Sequence, residues 1–148
     1  MKPPPPRLAH HKLRVVLAFI EDHLPEKITL AALAATVHTS PFHFSRTFKA
    51  ATGHAPHAFV TMRRMELSKT LLAGTELSLF EIALRAGYQT QAHFTGMFHK
   101  RVGTTPSVYR RICRVARSEA SAARFPHSHS NVPHADAMAS APNGSMAD

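Results

Sequence analysis

The sequence predicts an all-α fold of about seven helices, arranged as two helix-turn-helix motifs joined by a long central helix. Three observations carry this. The stretch Leu79–Arg111 reads LFEIALRAGYQTQAHFTGMFHKRVGTTPSVYRR. Apolar residues recur in it at helical spacing on either side of a short polar step. The same plan stands earlier, over Thr29–Phe59, as TLAALAATVHTSPFHFSRTFKAATGHAPHAF. Between the two, His57–Leu72 runs for a helix length without proline or glycine.

The repeat is close in detail. Thr29 matches Ser78, Leu33 matches Ile82 and Ala34 matches Ala83, all 49 residues apart. Beyond the turn the offset is 50, pairing Ser40 with Thr90, Phe44 with Phe94, Ser45 with Thr95 and Phe48 with Phe98. Gly53 pairs with Gly103, Pro56 with Pro106 and Phe59 with Tyr109. The added residue falls in the turn, where an insertion costs least.

Taken in order, residues 1–10 contain Pro3-Pro4-Pro5-Pro6 and read as a disordered leader of extended polyproline geometry. Residues 11–117 are the expected domain. Leu13, Val16, Leu17, Ile20 and Leu24 form the stripe of a first helix, ended by Pro25. The first motif occupies about 29–53. Its alanine-rich helix near Leu30–Val37 is followed by Ser40 as N-cap and Pro41 at the first helical position of the next. Phe44, Phe48 and Ala51 face inward there, leaving Phe42, His43, Ser45, Arg46 and Lys49 outward. The linker helix, about 57–72, carries Phe59, Met62, Leu67 and Leu71 among Arg63, Arg64 and Lys69, and Gly74 closes it. The second motif spans about 78–102. Ala86-Gly87 ends its first helix, Thr90 caps its second, and Gly103 stops it. Phe94, Phe98 and Val102 share a buried face with Met97 beside them, opposite Gln91, Ala92, Thr95, Gly96 and His99. Thr105-Pro106 starts a last helix. Residues 118–148 shift to Ala, Ser, His, Pro and Asn and read as a disordered tail.

Charge narrows the function. Residues 1–118 hold 17 Lys and Arg against 6 Asp and Glu, a net of +11, whereas residues 119–148 net −2. A compact basic unit favours polyanions, of which nucleic acid is the commonest. A helix of about 17 residues is roughly 25 Å long. With a helix pair at each end it approaches the 34 Å or so of one turn of B-DNA, so one chain can place two helices in successive major grooves. The lone Cys113 excludes an intramolecular disulfide and suits a reducing compartment. No apolar run reaches the roughly 18 residues of a membrane span, which points to a cytoplasmic protein. Carboxylates are scarce and no phosphate-cradling loop or nucleophile motif stands out, so the chain is not expected to be an enzyme or to hold a cofactor. His127, His129 and His134 form at most a poorly organised metal site.

The pattern I-A-x-x-x-G-Y-x-T-x-x-x-F-x-x-x-F-x-x-x-x-G-x-T-P-x-x-Y-R, standing here from Ile82 to Arg110, resembles the signature of the AraC/XylS family of bacterial transcription regulators. The resemblance runs from about Leu13 to Arg111. It implies two helix-turn-helix motifs on one long helix, double-stranded DNA as partner and a nucleoid-associated location. With no sensor domain fitting here, it is nearest to the family's single-domain activators, which bind as monomers and contact RNA polymerase.

The candidate DNA-binding residues are Phe42, Ser45, Arg46, Lys49, Gln91, Ala92, Thr95, Gly96, His99 and Arg110. Arg46 is the foremost base reader, since a guanidinium matches guanine O6 and N7 bidentately. A phosphate contact or surface ion pair are its alternatives. Phe42 suits a thymine methyl or, equally, inward packing at the helix start. Gln91 can pair with adenine, and Thr95 can reach a phosphate or a methyl. By resemblance, the family often has arginine at the position of Gly96 and lysine at that of His99, so the second motif is expected to grip backbone while the first discriminates. Arg63 and Arg64 suit the intervening phosphates or a solvated face. Arg110, Arg111, Arg114 and Arg117 suit phosphates beyond. Two other readings stand beside the sequence-specific regulator: a protein-interaction module derived from one, and a non-specific DNA binder.

Overall fold

The structure is a computed structural model, and it describes residues 1–124. The described chain is all α: α1 His10–Asp22, α2 Leu30–Thr36, α3 Pro41–Thr52, α4 Pro56–Gly74, α5 Leu79–Arg85, α6 Gln91–Val102 and α7 Pro106–Arg124. α2–α3 and α5–α6 are the two helix-turn-helix pairs, and α4 joins them.

Each boundary has a local cause. The Thr29 hydroxyl accepts from the Ala32 N–H at 3.1 Å, Ser40 from His43 at 3.3 Å and Thr90 from His93 at 3.1 Å. Ser78 and Glu81 form a reciprocal capping box, with the Ser78 N–H donating to the carboxylate at 2.9 Å. Those hydrogen bonds, from the Ser78 backbone first and its hydroxyl second, hold the Glu81 carboxyl below its ordinary range. Gly53 and Gly103 end α3 and α6 in the left-handed conformation, at φ 81° and 90°, where a glycine carries no Cβ penalty.

The two turns are also copies. The Thr39 N–H donates to Ala34 O at 3.1 Å, and the Tyr88 N–H to Ala83 O at 2.8 Å, the six-to-one closure of a Schellman motif. The left-handed residue is His38 (φ 55°) in one and Gly87 (φ 82°) in the other.

Packing reproduces the repeat as two cores. Val16, Ile20, Leu24, Leu33, Phe44, Phe48 and Val60 close the first, and Met65, Leu72, Ile82, Phe94 and Phe98 the second. Phe48 meets Phe59 edge-on at 5.4 Å, and its counterpart Phe98 meets Tyr109 edge-on at 5.5 Å. α4 serves both cores, giving Val60 to one and Met65 and Leu72 to the other. Its apolar residues therefore form no single stripe. Met62 is partly exposed, whereas Met65 is buried.

Two boundaries differ from the sequence reading. Leu8, assigned to the leader, is buried in the first core, and its N–H donates to Thr47 O at 3.2 Å. α7 continues through residues 118–124, which composition had placed in the tail. Ala120, Ala122 and Ala123 favour helix there on backbone grounds alone, although that stretch is exposed. The tail histidines His127, His129 and His134 lie outside the described residues.

Candidate nucleic-acid interface

α3 and α6 bury and expose nearly the same positions, differing at Thr47 against Met97 and in the last turn. Phe44 and Phe48 in one, and Phe94 and Phe98 in the other, anchor each helix at no measurable exposure. Phe42, His43, Arg46 and Lys49 stand exposed on α3, as do Gln91, Ala92, Gly96 and His99 on α6. Ser45 and Thr95, matched in the repeat, are half-buried.

Phe42 faces outward at 73% exposure, so the inward-packing alternative is not realised. Its ring lies 5.7 Å from the Arg46 guanidinium carbon, close enough for a cation–π contact worth about 0.5–1 kcal/mol at an exposed site. The ring thereby restricts a long side chain without occupying its hydrogen-bond donors. Among the described residues no carboxylate pairs with Arg46.

α6 is chemically thinner. A Cβ placed on Gly96 would meet nothing within 4 Å, so the glycine there answers no packing demand. His99, Lys100 and Arg101 form its last turn, the end where positive charge complements the helix dipole.

The arginines expected to touch phosphates divide. Arg63 pairs with Glu21 at 2.5 Å. Arg64 is half-buried, donating from Nε to Leu24 O at 3.2 Å and from Nη2 to Glu26 O at 2.7 Å. Burial lowers its pKa, partly offset by Tyr88. Arg110 likewise donates to Leu72 O at 3.3 Å and Thr75 O at 3.4 Å. Both satisfy carbonyls at the end of a preceding helix, one in each half, so Arg64 and Arg110 each spend two donors on ties within the fold. Arg114 pairs with Glu76, whereas Arg111 and Arg117 are exposed. Arg110→Ala is accordingly expected to lower stability by about 1 kcal/mol while changing DNA affinity less than about twofold. Urea unfolding and a binding titration on the same protein check both halves.

Other basic residues were passed over in the sequence. Lys27, His57 and His93 line a cleft with Gln89 and Thr90, and that cleft shares Ile28, His57 and Val60 with the hollow beside Ser45. Basic side chains thus continue from α3 to the start of α6. The signals were there: His57 opens the linker helix, and His93 sits three residues past the cap Thr90.

Among the described residues, no group of His, Cys, Asp and Glu is placed to hold a metal, and no helix is long and apolar enough to cross a membrane.

A helix-turn-helix domain family matches residues 33–112. The chain is 36% identical over 99 residues to the right origin-binding protein of Escherichia coli K12, covering 67% of this chain and 34% of that protein. It is 30% identical over 101 residues to AdaA of Bacillus subtilis, a bifunctional transcriptional activator and DNA repair enzyme, covering 68% and 48%. The chain thus spans about a third to a half of these curated relatives. Among solved structures, the DNA-binding domain of the global transcriptional factor AdpA, in complex with a target DNA, is 31% identical with a TM-score of 0.68, covering 72% of this chain and 96% of that one. The C-terminal domain of AraT, a response regulator from Geobacillus stearothermophilus, is 36% identical with a TM-score of 0.66, covering 72% and 88%.

Proposed function

The chain belongs to the AraC/XylS family of transcription regulators, whose DNA-binding unit it contains, and from that premise we propose that one copy reads two adjacent major grooves, with α3 supplying most of the base discrimination. The observation that carries this is the pair of congruent helix faces, of which only that of α3 bears an arginine. Arg46 is the base reader, steadied by Phe42, and Lys49 adds charge beside it. Gln91 reads a base from α6, while Thr95 and His99 fit the backbone, and Ala92 and Gly96 let it approach closely. α4, 19 residues long and so about 28 Å, sets the separation near one helical turn of DNA.

Regulation is read as activation, by a monomer on DNA that touches RNA polymerase, in the cytoplasm and on the nucleoid. The family and fold are those of DNA-binding transcription regulators, so the proposed activity is binding. Selection from a random duplex pool at near-physiological salt tests the reading, followed by titration of the winner against a scrambled duplex. A bipartite motif with half-sites about one turn apart, bound one protein per duplex, is the expected result. Equal binding to both duplexes would sink it in favour of a non-specific binder. Transcription with purified polymerase from a promoter bearing the selected site then tests the sign.

A further inference from the structure

We propose that residues 1–7 form a stiff arm that carries Lys2 and Arg7 onto the DNA backbone just outside the half-site read by α3. The inference rests on the reading of α3 as a DNA-facing helix, and it adds a contact that no helix-turn-helix element supplies.

The arm is anchored at its base. Leu8 is buried in the first core, and its N–H is fixed on Thr47 O of α3. From there the chain passes along α3, where Pro5 and Pro6 line a shallow groove with Arg46, Lys49 and Ala50. An exposed segment of low apolar content is thus held beside the foremost base-reading residue.

Its side of the helix is determined. Ser45 faces the hollow formed with Ile28, Pro56, His57 and Val60, which leads on toward α6. Arg46, Lys49 and Ala50, which border the arm, lie about 100°, 40° and 140° further round the helix. The arm therefore occupies a flank of α3 about a quarter-turn round from the Ser45 side that leads to the second motif. DNA running past α6 and then α3 continues onto that flank.

Composition suits the role. Residues 1–7 carry Lys2 and Arg7 and no acidic residue. Four consecutive prolines fix φ near −65° and favour the extended polyproline helix, which rises about 3.1 Å per residue. From Pro6 back to Lys2 the reach is about 12 Å. Little conformational freedom remains to be lost on binding, so two charge contacts are retained at low entropic cost. Prolines have no N–H and add none of their own, so the arm contributes charge and position without base recognition. The phosphate backbone is the matching partner.

The test uses the whole chain on the duplex recovered by selection. Lys2→Ala with Arg7→Ala is expected to reduce the slope of log affinity against log salt by nearly 2, at about 0.9 per phosphate contact. The two proteins converge at high salt. Hydroxyl-radical footprinting shows lost protection only beyond the outer edge of the α3 half-site. A second variant with Pro3 to Pro6 replaced by Gly and Ser keeps both cations and is expected to retain the outer protection weakly. Unchanged slope and footprint in the double variant would overturn the arm while leaving the two-groove reading intact. A reduced slope with no local change in protection would also overturn it, since the charges would then act only through the general field. If the parent protein itself protects no specific site, the reading of α3 fails and the arm falls with it.

Discussion

Gly87→Ala is expected to destabilise the protein by about 2–5 kcal/mol. Gly87 holds φ 82°, a left-handed conformation that costs a Cβ-bearing residue about 1–2 kcal/mol. A Cβ there would also stand 2.4 Å from Leu24 O and 2.8 Å from the Arg64 guanidinium. Leu24 O is backbone and is tied by the Arg64 Nε donor, so neither neighbour can withdraw without breaking the tie, and overpacking of this kind adds about 1–3 kcal/mol. The contact matters beyond stability because it joins the turn of the second motif to the end of the α1 segment in the first. Displacing it moves α6 relative to α3, so affinity for a two-part site should fall more than for either half alone. Urea unfolding measures the first effect and titration on full and half sites the second. A midpoint equal to the parent's would show that the close approach is relieved in solution. His38→Gly provides the internal control, since His38 occupies the same turn position without that crowding. Its change should stay within about 1 kcal/mol.

Arg46→Ala is expected to lower affinity for the selected site about 10- to 100-fold, corresponding to roughly 1–3 kcal/mol for a bidentate base contact. The loss should fall on one position of the α3 half-site, with neighbouring substitutions discriminated as before. Arg46→Lys should not restore it, because an ammonium lacks the planar fork that matches two acceptors at once. Phe42→Ala should give a smaller loss in the same direction, through a less restrained guanidinium. If Arg46 bound phosphate instead, affinity would fall across all sequences alike and the salt slope would drop by about 1. Gln91→Ala is the comparison on α6. Equal losses from Arg46→Ala and Gln91→Ala would end the idea of unequal halves. Gly96→Arg explores the converse, since the open space at that position accommodates a longer side chain without disturbing the core.

Much of this architecture was legible in the residues because its causes are local. Thr29, Ser40, Ser78 and Thr90 cap helices by bonds three residues away, and Gly53 and Gly103 stop them by a backbone freedom of their own. The spacing of Phe44 with Phe48, and of Phe94 with Phe98, defines which face is buried, so the exposed faces of α3 and α6 follow by exclusion. A 49- to 50-residue repeat then required two motifs and a connecting helix.

What the tertiary structure alone decided concerns residues whose partners are remote. Arg64 and Arg110 carry the same charge as Arg46, and sequence offers no sign that their donors meet carbonyls 35–40 positions away. Gly87 looks like any helix-ending glycine until Leu24 O is found against it. Leu8 follows a run of prolines that suggests no packing, yet the first core has a place for it. Periodicity and capping report on the chain within a turn or two of itself. Which basic residues face outward and which are held inside depends on how α4 and α7 lie against the helix ends that precede them, and that relation exists only once each core has formed.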